Sequence, residues 1–236
     1  MKKATSIEIL QKIPIIIDVE ALLSQSRIKP QSQDAKIINS LIKSLQPVIQ
    51  PKAVYRLCYL DSRKDSAITF GGICFTSRVM QVNLEQTERV FPFIVTAGRE
   101  LEEASRDISD LLHQYALDIL KETVLRQALA YLQTYLKETY HLPNIAMMNP
   151  GSLPEWPITE QPRLFSLFGD VKQLIGVELT ESYLMSPIKS ISGLIFPTDV
   201  SFVNCQLCPR ENCPGRKAPY DEILLHTKFS PAASCP

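Results

Sequence analysis

The residues best suited to chemistry lie late in the chain, in the segment Asn204-Cys205-Gln206-Leu207-Cys208-Pro209-Arg210-Glu211-Asn212-Cys213-Pro214-Gly215-Arg216-Lys217. The spacing is Cys-x2-Cys-x4-Cys, so three thiols fall within nine residues. Thiolates are soft ligands and give up their protons when metal binds. Pro209 and Pro214 each follow a cysteine directly, as in iron–sulfur loops. Arg210, Arg216 and Lys217 supply positive charge beside an anionic cluster. The expected occupant of Cys205, Cys208 and Cys213 is an iron–sulfur cluster, with structural zinc as the alternative and three free thiols as the plain reading. Cys235 is the fourth cysteine nearest in sequence, and the intervening chain is long enough to fold back. His226 is a non-cysteine candidate for that position. Cys58 and Cys74 sit on predicted strands among apolar neighbours and read as core.

A second segment offers a rigid loop, Pro150-Gly151-Ser152-Leu153-Pro154-Glu155-Trp156-Pro157. Its prolines fix φ, so it presents backbone carbonyls and amides at low ordering cost. Such a loop suits edge-on recognition of a purine or a flat cofactor, and it equally suits a crossover wrapped over a sheet. Pro150, Gly151, Leu153 and Trp156 are its candidate binding residues. Trp156, the one tryptophan, can stack on a ligand or pack beneath the loop. Further on, Glu178 and Glu181 stand three apart in Glu-Leu-Thr-Glu-Ser. One of them can accept a ligand's amine or ribose hydroxyls; a Thr-Glu-Ser run is equally a turn or cap with a solvated carboxylate.

These segments need elements to hold them. Asp34 to Leu45 carries Ile38, Leu41, Ile42 and Leu45 at helical spacing, with Asp34 placed to cap. Val54–Leu60 and Ala67–Phe75 read as a hairpin around the polar run 61–66. Gly71-Gly72 reads as a bulge or turn between strands. Phe91 to Thr96 is a strand ended by Ala97-Gly98. Glu100 to Tyr140 is the strongest helical stretch, long enough for two helices with a break near Asp107, and Pro143 stops it. Its expected apolar face is Ile108, Leu111, Leu112, Tyr115, Ile119, Ala128, Leu129, Leu132 and Leu136. Thr159 to Phe168 is a shorter helix capped by Thr159, with Pro162 in its first turn. Ser190 to Phe196 is a strand. Strands, a long helix pair and a strand again predict one α+β domain, an antiparallel sheet with long helices.

The 236 residues carry 25 Lys+Arg against 25 Asp+Glu, a formal charge of zero, which argues against nucleic acid as the partner. Hydrophobic residues at 45% suit a folded globule. No run approaches the ~18 apolar residues of a membrane span. Six cysteines, unevenly placed, suit metal or redox chemistry in a reducing cytoplasm better than a disulfide scaffold. No Ser–His–Asp arrangement and no phosphate-cradling glycine loop is present.

The ordered pieces of Asn149 to Phe196 resemble the activation domain of cobalamin-dependent methionine synthase. The most specific are Leu179-Thr180-Glu181-Ser182-Tyr183-x-Met185-x-Pro187 and Ser190-x-Ser192-Gly193. Val95-Thr96-x-Gly98 and Leu117-Asp118 are similar to an earlier strand and helix of that family, so the likeness covers roughly residues 90 to 203. It implies a fold that binds S-adenosylmethionine and holds it over cobalamin, so that oxidised cob(II)alamin is reduced by one electron and remethylated. In the family's Arg-Pro-Ala-x-Gly-Tyr-Pro loop, this chain has Met148-Asn149-Pro150-Gly151-Ser152-Leu153-Pro154. Gln127 falls where the family has a helix glutamate, and Phe202 where it has a later tyrosine. The expected organisation is an activation-like unit over 1–203 and a cysteine-rich extension over 204–236. No cobalamin-binding Asp-x-His-x-x-Gly segment occurs, so the likeness implies cobalamin presented by a corrinoid-binding protein or methyltransferase partner. An electron donor such as ferredoxin or flavodoxin completes that system. The alternative is a non-enzymatic corrinoid-protein or ligand-binding module with a zinc-stapled tail.

Overall fold

The computed structural model describes residues 6–64, 67–153, 155–199, 204–213, 216–224 and 227. The chain opens with strand β1 (Ile7–Leu10) and helices α1 (Val19–Gln25) and α2 (Gln33–Leu45). Four strands follow: β2 (Lys52–Arg56), β3 (Cys58–Lys64), β4 (Ala67–Phe70) and β5 (Ile73–Thr76). Next come α3 (Arg78–Asn83), β6 (Arg89–Thr96), α4 (Arg99–Ala104) and α5 (Leu111–Thr139). After β7 (Ile145–Met148) lie α6 (Gln161–Ser166) and α7 (Val171–Ile175). The pair β8 (Glu178–Leu179) and β9 (Met185–Ser186) precedes β10 (Ser190–Pro197).

The apolar β6, Arg-Val-Phe-Pro-Phe-Ile-Val-Thr, lies at the centre of an antiparallel sheet of eight strands. One edge carries β10, from Ser190↔Thr96 to Ile195↔Phe91, and β7 adds beyond it. The other edge is shared: β2 pairs with Val95 and its neighbours, and β3 takes Val90 and Arg89. The stretch expected as one strand, Val54–Leu60, is therefore two strands that part at Leu57. β1 extends the sheet beyond β2, while β3, β4 and β5 form a meander. Gly71 and Gly72, at φ 57° and 79°, make the two-residue turn between β4 and β5, where only glycine carries both left-handed angles cheaply. The polar run expected as a turn is strand up to Lys64; residues 65 and 66 lie outside the described set.

Side chains alternate across a strand, so this sheet buries two faces. Phe91, Phe93 and Val95 join Ala53, Tyr55 and Ile195 in one core, covered by α1, α2 and α5. Val90 and Ile94 join Val54, Ala146, Met148, Leu194 and Phe196 in the other. There the covering residues include Val79, Met80, Leu164, Phe165, Val171, Trp156 and Leu207.

The expected break in the long helical stretch falls between Ala104 and Leu111. Its first apolar face is corrected. Leu111, Leu112 and Tyr115 are exposed at 81%, 39% and 55%, while His113, Ala116, Leu117 and Leu120 turn inward. At 3.6 residues per turn, Leu111 lies about 140° from Ala116, and the sheet takes the stripe that continues to Val124, Ala128, Leu132 and Leu136. The cap of α2 is Ser32, not Asp34; Asp34 instead meets His113 Nε2 at 3.1 Å. Thr159 caps nothing: residues 158–160 form a 3-10 turn that leads into α6, with Pro162 in its first turn as expected. No helix among the described residues is long and apolar enough to cross a membrane.

Candidate functional site

The proline-rich loop closes on itself. The Gly151 amide donates to the Trp156 carbonyl at 2.7 Å, Ser152 N–H to Asn149 O at 3.2 Å, and Trp156 N–H to Leu153 O at 3.1 Å. Pro150 is buried. Leu153 and Trp156 are only 4% and 1% exposed, so both face the second core. Trp156 meets Phe75 edge to face, ring centres 6.4 Å apart. Of the two roles open to this tryptophan, the structure shows packing. Gly151 is exposed beside Ser152 at the loop's outer turn. Pro154 lies outside the described residues.

The Thr-Glu-Ser run is the turn of a small hairpin, β8–β9, whose strands pair only with each other among the described residues. Thr180 organises that turn: its N–H donates to Leu184 O, and its hydroxyl accepts from Leu184 N–H. Glu181 stands exposed on the turn with Tyr183 and Leu184. Glu178 is engaged within the protein. Its two carboxylate oxygens meet Arg99 Nη2 at 2.8 Å and Lys172 Nζ at 2.7 Å. The hydrogen bond from Lys172, with help from Arg99, holds this carboxyl below the usual carboxylate range.

Arg99 is the residue that sequence reasoning missed. It opens α4, just after the Thr96-Ala97-Gly98 turn. Its Nε donates to Gly176 O at 2.9 Å, and its Nη2 reaches both Glu178 and Ser186 O. One guanidinium thus ties both strands of the hairpin to the start of α4, from 77 to 87 residues away in sequence. An ammonium cannot copy this planar fork. Arg99→Ala is expected to speed hydrogen exchange of the hairpin amides about tenfold while global stability changes little, because the Arg99 and Glu178 side chains are 29% and 37% exposed. Unchanged hairpin protection would remove Arg99 from this role.

Beyond the hairpin, Lys189 bridges to α5 through Asp118 and Glu122, at 3.0 and 3.5 Å. Burial works against its charge, but the two carboxylates prevail and hold its ammonium above the ordinary range. The neighbouring Ile188 is 76% exposed.

Two of the positions that the family likeness links to adenosylmethionine, Met148 and Gln127, are engaged within the protein. Met148 is 1% exposed in the second core, beside Leu153. Gln127 makes two bonds to the backbone of Ile16, accepting from its N–H at 2.9 Å and donating to its carbonyl at 2.7 Å. Phe202 lies outside the described residues.

In the tail, Cys205, Cys208 and Cys213 are partly buried free thiols. Lys217 N–H donates to Cys205 Sγ at 3.3 Å. Three cysteines with an amide aimed at sulfur suit a thiophilic ion in chemistry. Among the described residues, no three His, Cys, Asp or Glu side chains are gathered as a metal site. Cys235 and His226 lie outside the described residues. Cys58 is core as expected, with burial pushing its thiol up to about 11, whereas Cys74 is corrected to the exposed side of β5.

Residues 136–213 match the sequence model of the family described as vitamin B12 dependent methionine synthase, activation domain. Among solved structures, a crystal structure of the MetH reactivation domain bound to AdoHcy is similar, with a TM-score of 0.64 at 16% identity. That alignment covers 85% of this chain and 81% of that one. No curated protein matches. The chain has the fold of the methionine synthase reactivation domain and carries the sequence pattern of that activation domain across residues 136–213.

Proposed function

We propose that this protein serves corrinoid methyl-transfer chemistry by docking on a separate corrinoid-binding protein or methyltransferase and supporting reductive reactivation of its cob(II)alamin. The observation that carries this reading is the Glu178–Ser186 hairpin. It lies within the matched segment, is fixed by Arg99, and points Tyr183 and Leu184 outward at 38% and 58% exposure. Exposed apolar side chains on a braced turn are what a protein partner covers. The chemistry is one electron: cob(II) becomes cob(I), and a donor of the ferredoxin or flavodoxin class is oxidised by one electron.

The similar solved domain holds AdoHcy, which supports an adenosyl ligand for this fold. Met148, Leu153 and Gln127 are spent on core and backbone contacts, so no step here is routed through adenosylmethionine. The cysteine segment is proposed as a metal module. An iron–sulfur cluster bound there would supply a one-electron carrier, and zinc would supply only a staple. The second form, a zinc-stapled binding module, shares the docking surface but not the electron.

The test uses the cobalamin-binding domain of methionine synthase loaded with cob(II)alamin. Titration with this protein is expected to give saturable association and a change in the visible corrin spectrum. Leu184→Glu is expected to weaken association about tenfold, the loss of one buried apolar anchor. No association by the unaltered protein overturns the reading.

A further inference from the structure

The chain between β1 and α1 is an extended strap. Pro14, Ile16 and Asp18 are exposed, whereas Ile13 is buried and Ile15, Ile17 and Val19 are half-buried, the period of two that marks extended chain. Pro14 fixes its own φ and keeps Ile13 out of the helical region. Lys12, at φ 58°, turns the chain out of β1. Asp18, at φ −89° and ψ 100°, is still extended where it caps α1. The strap is clipped at one point. Gln127 of α5 accepts from Ile16 N–H and donates to Ile16 O, so both backbone groups of Ile16 face α5.

In extended chain, successive residues turn their N–H and C=O to opposite edges. The backbone groups of Ile13, Ile15 and Ile17 therefore face away from Gln127. Among the described residues, none of these groups has a hydrogen bond. Pro14, which has no N–H, falls on the clipped edge and leaves the free edge intact. A groove of about 430 Å³ opens between the strap and α2, lined by Ile15, Ile17, Asn39, Ile42 and Lys43 among others. A free strand edge is a template for another strand.

The residue pattern says which strand. Laid antiparallel on itself with Ile15 opposite Ile15, the strap sets Ile13 opposite Ile17, and all of these residues exchange both backbone bonds. Between them fall the closely spaced pairs of the exposed face. There Pro14 meets Ile16, which is 79% exposed, and Lys12 meets Asp18. Lys12 has no ion pair among the described residues, and Asp18 spends one oxygen on Ala21 N–H at 2.9 Å. Sliding the register by one step in either direction parts Lys12 from Asp18.

We propose that this protein self-associates through the free edge of the strap. A second copy pairs antiparallel along residues 13–17, centred on Ile15, with Lys12 of each copy against Asp18 of the other. The contact is isologous, as a two-fold axis requires. A pairing this short lies at the small end of protein interfaces, so the dimer is weak and depends on concentration.

The experiment uses the full chain under reducing conditions, by sedimentation equilibrium from micromolar to millimolar concentration. A monomer–dimer equilibrium is expected. Amide hydrogen exchange locates it: Ile15 and Ile17 N–H are expected to gain about tenfold protection as the dimer fills, while Ile16, already bonded to Gln127, stays unchanged. Lys12→Glu sets like charges opposite one another at both ends of the pairing. It is expected to weaken association about tenfold at low salt and less at high salt. Ile15→Pro removes the central N–H from both copies and is expected to leave a monomer, with thermal unfolding reporting that the fold persists. If Ile15→Pro does not fold, Lys12→Glu and the exchange pattern decide. A protein that stays monomeric at millimolar concentration overturns the proposal. So does a dimer in which Ile15 and Ile17 exchange as fast as in the monomer, or one that Lys12→Glu leaves untouched.

Discussion

Gly193→Ala is expected to cost about 3 kcal/mol or more, a large share of the roughly 5–15 kcal/mol that holds a typical fold. Gly193 lies inside β10, where the strand pairs with Phe93 of β6 and the chain leaving β7 crosses close above it. A Cβ built there would sit 2.3 Å from the Met148 carbonyl oxygen, 2.6 Å from Asn149 Nδ2 and 3.0 Å from Phe93 Cε1. The first of these is backbone and cannot swing aside. Asn149 cannot easily yield either, because its Nδ2 donates to Ser192 O at 2.7 Å. Relief requires pulling β7 and the proline-rich loop off β10, which breaks the pairs that start at Leu194↔Met148. This close approach gives the Ser-x-Ser-Gly pattern its physical reason: Ser192 is buried with its hydroxyl on Gln161 Oε1 at 2.7 Å, and Gly193 lets the crossing chain descend. Urea unfolding of Gly193→Ala checks the expectation. An unfolding free energy within about 0.5 kcal/mol of the unaltered protein would show that the crossing can be displaced cheaply.

Elements whose signal is local were legible in the sequence. The strands β6 and β10 follow from their runs of β-branched and aromatic residues, and the broken helical stretch from its apolar spacing. What failed needed long-range knowledge. Leu111 and Tyr115 look like a helix face because apolar residues at the start of α5 fit two stripes, and the sheet alone chooses Ala116, Leu117 and Leu120. The parting of β2 from β3 at Leu57 is invisible locally, because it arises from two strands sharing one edge of β6. Cys74 faces outward because side chains alternate along β5 and its neighbour Phe75 takes the inward face, a choice that neighbouring apolar letters do not reveal. The candidate site divides in the same way. Pro150, Leu153 and Trp156 were legible as one rigid loop, but whether that loop faces a ligand or the core depends on Phe75, which lies 81 residues from Trp156. Glu178 read as a free carboxylate because Arg99 and Lys172 reach it only in the fold.

That division is tested most sharply at Trp156, where two substitutions should part company. Trp156→Ala is expected to destabilise by about 3–5 kcal/mol, since it empties a large site in the second core beneath the loop. Trp156→Phe is expected to stay within about 1 kcal/mol of the unaltered protein. The indole Nε1 is buried with no hydrogen-bond partner among the described residues. Phenylalanine removes this unsatisfied donor, a relief of about 1–3 kcal/mol that offsets the loss of packing volume. The aryl group that remains can still present itself to Phe75. A stacking role towards a flat ligand makes the opposite forecast: Trp156→Ala would spare the fold and remove binding, because a ring covering a ligand is exposed in its absence. At 1% exposure neither indole face is available, so the difference should appear in urea or thermal unfolding with no ligand added. A Trp156→Ala protein as stable as the original would return this residue to the surface of a binding site.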